Sequence, residues 1–155
     1  RGRGCRMTFK SKRIIIVISE FNFKVTNGLL EGALNVFDEN DGDRKLLDIV
    51  KVPGAFDIPS AAIKAIEKNN PDALITLGAV IKGETKHFEY ISENCSRAVM
   101  DISLNYDMPV LFGVLTTENS EQALARSDKK NNKGAEVMEA ALKMIDTFKK
   151  IEGES

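Results

Sequence analysis

Tryptophan is absent from the 155 residues, histidine occurs once, cysteine twice and proline four times. One histidine and two distant cysteines, Cys5 and Cys95, match no metal-ligand spacing, so no metal site is expected. The same cysteines read as reduced thiols rather than a disulfide framework. No apolar run approaches the ~20 residues that a membrane helix needs. The basic string RGRGCRMTFKSKR lacks the apolar segment of a secretory signal. Charge of one sign is also missing: 22 Lys plus Arg stand against 23 Asp plus Glu. No global field therefore favours nucleic acid or an acidic membrane. What is there is a chain 43% hydrophobic, enough to bury one core. The expectation is a cytoplasmic protein with an N-terminal arm (1–12), one domain (13–150) and a C-terminal tail (151–155). Within the arm, residues 1–6 precede Met7 and read as a leader or appended residues.

Apolar β-branched runs alternate with amphipathic stretches, without repeats or linkers. RIIIVIS (13–19), LLDIVKV (46–52), ALITLGAV (73–80) and VLFGVLT (110–116) read as strands. The first is continuously apolar, as in a strand covered on both faces. A helix is predicted over 26–37, capped by Thr26, and a second over 57–68, where Asp57 is a candidate cap. A third begins near Lys86 or His87 and turns Phe88, Ile91, Cys95, Ala98 and Ile102 inward. Asn119 and Gln122 have capping-box spacing at a short helix. The last helix, 133–150, is predicted to bury Val137, Ala141, Met144 and Phe148. This alternation implies an α/β fold, a three-layer sandwich with a parallel sheet between helices. Ligands bind such sheets beyond the carboxyl ends of the strands. That rule points to residues near 19–26, 53–57, 79–87 and 115–119.

Each of those loops offers chemistry. SEFNFK presents Phe21 for stacking on a planar ligand and Asn22 for a polar contact; Phe23 reads as packed under the adjacent helix. VPGAFD adds Phe56 and Asp57, the latter either a helix cap or an acceptor for ligand hydroxyls. GAVIKGETKH combines Gly83, Glu84 and Thr85 at a helix start, where free amides suit a phosphate. His87 follows, either as a surface histidine or as a proton shuttle beside that anion. Arg126 and Lys133 bring cations, Arg126 with the geometry for phosphate.

The segments SEFN, VPGAFDIP, GAVIKGETKHFEYI, FGVLTTENSEQALAR and NKGAE, in this order and spacing, resemble the 6,7-dimethyl-8-ribityllumazine synthases across about residues 13–148. The resemblance implies a four-stranded flavodoxin-like sheet of order 2-1-3-4. It implies a riboflavin-pathway transferase that joins 5-amino-6-ribitylaminouracil to 3,4-dihydroxy-2-butanone 4-phosphate, giving the lumazine, phosphate and water without a cofactor. Carried over, Phe21 stacks on the pyrimidine with Asn22 beside it, and Ala55, Phe56 and Asp57 hold the ribityl chain. Ala79, Val80 and Ile81 read the pyrimidine edge, Gly83, Glu84 and Thr85 bind phosphate, and His87 is the acid/base. Phe112, Arg126 and Lys133 come from the adjacent subunit, Arg126 to the phosphate and Lys133 to the pyrimidine. The implied partners are four further copies in a pentamer, in some members a sixty-subunit shell, and a riboflavin synthase.

Some positions depart from the family pattern. Asp57 stands where Glu is common, Glu20 and Lys82 where Arg is common, and Glu84 where a small residue or Asp is usual. The break SDKKNNKG is one residue shorter than the usual form. Two rivals lack their own chemistry: a flavodoxin needs a Ser/Thr-rich loop where SEFNFK stands, and a receiver needs acidic residues that VISE and LGAVI do not supply. The alternative within the fold is an inactive lumazine- or flavin-binding or shell-forming protein, against which His87 and Arg126 argue.

Overall fold

The computed structural model describes residues 7–83 and 85–153. Strand β1 (Ile14–Ser19) is buried at every position. It pairs in parallel with β2 (Leu47–Val52) on one side and β3 (Ala73–Ile81) on the other. β4 (Val110–Thr117) pairs with the outer side of β3. The sheet order is β2-β1-β3-β4, as expected.

Side chains alternate across the strands, so one sheet feeds two cores. Ile14, Ile16 and Ile18 join Ile75 and Leu77 in the core that contains residues of α1 (Phe23–Glu39) and α5 (Lys133–Ile151). Ile15, Val17 and Leu74 join the core that contains residues of α2 (Ile58–Asn69) and α3 (His87–Asn105). A short helix, α4 (Ser120–Ala125), follows β4. Among the described residues, no helix is long and apolar enough to cross a membrane.

Several local expectations change. α1 starts at Phe23, not Thr26, because Asn22 adopts a left-handed conformation (φ 63°, ψ 52°) and its carbonyl accepts from Val25 N and Thr26 N. Thr26 is buried inside the helix and its hydroxyl donates to Phe23 O at 3.3 Å. Phe23 does not pack under a helix; it is 63% exposed. Met144 also faces outward, and Ile145 takes the inward place. Asn119 does cap α4, accepting from Gln122 N at 2.9 Å, while Gln122 accepts in turn from Glu118 N. Cys95 is fully buried, its thiol directed at Ala55 O (3.5 Å), and burial pushes its pKa up to about 11. It is therefore a protonated packing residue at neutral pH.

The helices α1 and α5 approach at backbone distance. A Cβ on Gly134 would fall on the Leu29 carbonyl of α1, which no rotamer change can move. Gly134→Ala is expected to destabilise the protein by about 1–3 kcal/mol through overpacking. Gly83→Ala is the control, since a Cβ there meets nothing within 4 Å. Urea unfolding checks this; equal midpoints for the two variants would contradict the close packing.

Candidate active site

The carboxyl ends of β1, β2 and β3 and the start of α3 surround an open cavity of about 710 Å³. That volume suits a small organic ligand, and the lining is mostly apolar. The first loop contributes Phe21 and Asn22, and Pro53 to Asp57 contribute the second wall. Ala79, Val80, Ile81, Gly83 and Thr85 form the third side, and α3 adds His87, Phe88 and Ile91.

The first loop is held by backbone and side chain together. Glu20 N donates to Val52 O (2.8 Å) and Phe21 N to Pro53 O (3.0 Å), which stitches it to the second loop. Asn22 Nδ2 donates to Ala79 O at 3.0 Å, which ties it to β3. Phe21 remains 71% exposed and lines the apolar cavity. The Asn22 bond to Ala79 O uses one N–H of the amide and leaves its Oδ1 and second N–H for the polar contact expected of it.

Asp57 likewise differs from the helix cap considered for it. It makes no side-chain cap to α2. Instead its Oδ2 accepts from Gly54 N at 3.0 Å and closes the Gly54–Asp57 turn, with Ala55 buried and Phe56 exposed. The third turn is bridged to β4 by Lys82 N donating to Thr117 O (2.9 Å) and by the solvent-exposed Lys82–Glu118 pair at 3.6 Å. Glu84, named for phosphate, lies outside the described residues. Thr85 Oγ1 accepts from His87 N at 3.2 Å, so it caps the first turn of α3. Its hydroxyl proton stays available to a ligand, and the imidazole is exposed at the cavity wall.

Phe112, Arg126 and Lys133 do not join this cavity. They line a second one of about 440 Å³ along the free edge of β4, with Thr116, Gln122 and Glu136. The two cavities share no lining residue. Arg126 Nη1 donates to Gln122 O at 3.0 Å, and Lys133 N donates to Arg126 O at 2.8 Å. The second of these bonds brings Arg126 and Lys133 together at one wall. Among the described residues, no group of three or more His, Cys, Asp or Glu could hold a metal ion.

Asn22 carries both a left-handed backbone and a side-chain hydrogen bond to β3, and the two can be separated. Asn22→Gly loses only the bond, whereas Asn22→Ala also strains the backbone, by about 1–2 kcal/mol. Urea unfolding should therefore find Asn22→Ala the less stable of the two by roughly that amount. Equal stabilities would contradict the strained cap.

The family model described as 6,7-dimethyl-8-ribityllumazine synthase matches residues 11–149. Curated proteins of that name are similar over nearly the whole chain. One from Helicobacter pylori (strain G27) is 42% identical over 144 residues, 92% of each chain. One from Helicobacter hepaticus is 43% identical over 141 residues, 90% of each. One from Thermococcus gammatolerans is 42% identical over 143 residues, again 92% of each. With a doubly covered parallel sheet, an aromatic-rimmed cavity at its carboxyl end and these relatives, the chain belongs to the 6,7-dimethyl-8-ribityllumazine synthase family.

Proposed function

We propose that the protein condenses 5-amino-6-ribitylaminouracil with 3,4-dihydroxy-2-butanone 4-phosphate to give 6,7-dimethyl-8-ribityllumazine, phosphate and water. What carries this reading is that Phe21 and His87 line one apolar cavity in a chain of this family. The pyrimidine stacks on Phe21, with Ala79, Val80 and Ile81 along its edge. The ribityl chain lies over Ala55, Phe56 and Asp57. The butanone phosphate sits beside Gly83 and Thr85, where the N-terminal end of α3 and the Thr85 hydroxyl favour an anion.

The chemistry is proton traffic between two held substrates. The ring amine attacks the ketone and water leaves to form an imine. Loss of a proton from the adjacent carbon expels phosphate, and the resulting enol takes up a proton to become a ketone. The ribitylamino nitrogen attacks that ketone, and a second loss of water closes the ring. His87 is the residue we assign to these transfers, with the departing phosphate beside it to stabilise its cation.

Within one chain the Arg126 and Lys133 cavity is separate from the His87 cavity. We assign its residues, with Phe112, to the site of a neighbouring copy, which makes the working unit an oligomer, as a pentamer in the family pattern. Arg126 then holds the substrate phosphate and Lys133 contacts the pyrimidine. Asp57 has one carboxylate oxygen committed to its own turn, which leaves the other for a ribityl hydroxyl.

Lumazine formation followed by absorbance, against a no-protein control for the slow spontaneous condensation, tests this. His87→Ala is expected to lower kcat about a hundredfold, the low end of a general acid/base contribution. Arg126→Ala should raise the KM for butanone phosphate about tenfold to a hundredfold, the loss of a charge-assisted pair. Wild-type protein that only matches the control would overturn the enzyme reading and favour a lumazine-binding or shell-forming role.

A further inference from the structure

Asn132 lines neither cavity, yet it holds the segment that carries both cations. Its Oδ1 accepts from Ala135 N at 3.0 Å and caps α5. Its Nδ2 donates to Asp128 O at 3.1 Å, which closes the 127–132 loop on itself, and to Gly28 O of α1 at 2.9 Å. The loop is pinched by an antiparallel bridge between Ser127 and Asn132. Arg126 and Lys133 are the residues that flank this clasp, joined by the Lys133 N to Arg126 O bond of 2.8 Å.

Only a primary amide supplies one acceptor and two donors in a single plane, and here all three are used. Aspartate or serine could cap α5 equally well. Neither could donate to both carbonyls. The second half of the device lies on α1. The Gly28 carbonyl points toward residue 32, as every helical carbonyl points toward the residue four positions on. A side chain reaching that carbonyl from outside must pass where the Cβ of residue 32 would lie. Residue 32 is glycine, and a Cβ built on it would overlap the Asn132 amide.

We infer that Asn132, admitted by Gly32, is a positioning residue that fixes Arg126 and Lys133 for the neighbouring copy's site. This rests on the functional reading above. It also explains how a shortened loop keeps both cations on one wall: the clasp, not the loop length, sets their register.

The test uses Asn132→Ser, which keeps the cap, Gly32→Ala, which presses on the amide from α1, and the double variant. Each single change is expected to raise the KM for butanone phosphate about tenfold while kcat at saturation stays within about twofold. The affinity for inorganic phosphate, measured by calorimetry, should fall in parallel. In the double variant the alanine methyl occupies space the amide has left, so its effect should not exceed that of Asn132→Ser alone.

A role confined to helix capping would leave phosphate affinity and KM at their wild-type values in both single variants, and that result overturns the inference. Phosphate affinity untouched by Arg126→Ala would overturn it as well, since the residue being positioned would not bind the anion. Wild-type protein that fails to catalyse, but loses phosphate in parallel in Asn132→Ser and Arg126→Ala, would defeat the enzyme reading and leave the positioning role standing.

Discussion

Strand β1 has neither a free edge nor a solvent face. It is hydrogen-bonded to β2 and β3, and its side chains feed both cores alternately. A strand so enclosed must be apolar throughout, and its chain can become polar only where it leaves the sheet. That happens at Ser19, and within four residues the chain has presented Phe21, turned through a left-handed Asn22 and entered α1. Because all four strands run parallel, β2 and β3 open at the same end. The cavity at that end follows from topology before any side chain is chosen.

The side chains then divide into holders and presenters. Asn22 spends a polar group on β3, Asp57 on its own turn and Lys82 on Glu118 beyond β4. Phe21, Phe56 and His87 are left exposed along the wall. On the far side of β4 the same division recurs, with Asn132 spending its amide and Arg126 and Lys133 presenting charge. Exposed aromatic rings are costly in an isolated chain, and a second surface that covers them relieves that cost. The two cavities differ in kind: one is apolar with a histidine, the other carries Arg126 and Lys133, the lysine 4.0 Å from Glu136.

The fold was largely legible in the sequence. IIIVI reads as a doubly covered strand, and the strand–helix alternation points to a parallel sheet between helices. Boundaries slipped where tertiary contacts outweighed local pattern. Thr26 looks like a cap until Asn22, bonded to β3, starts the helix earlier. Met144 fits the helical stripe, but α5 turns Ile145 inward in its place. The first-cavity residues were legible because they sit at strand ends, and Arg126 and Lys133 as basic residues flanking a polar break, to which the family pattern adds roles. Asn132 and Gly32 were not. They are 100 positions apart in sequence, and neither has a local signal beyond an asparagine near a helix start and a glycine inside one. Only the approach of α1 to α5 gives them meaning.

We have proposed that the working site joins the His87 cavity of one copy to the Arg126 cavity of another. Subunit complementation decides the matter. His87→Ala and Arg126→Ala chains, each impaired alone, are unfolded together, refolded as a mixture and assayed at limiting butanone phosphate. If sites lie between copies, a random one-to-one mixture at a head-to-tail interface regains about a quarter of wild-type activity, because that fraction of junctions unites two intact halves. If each chain holds a complete site, the mixture gives only the average of the two variants, and the shared-site account is wrong.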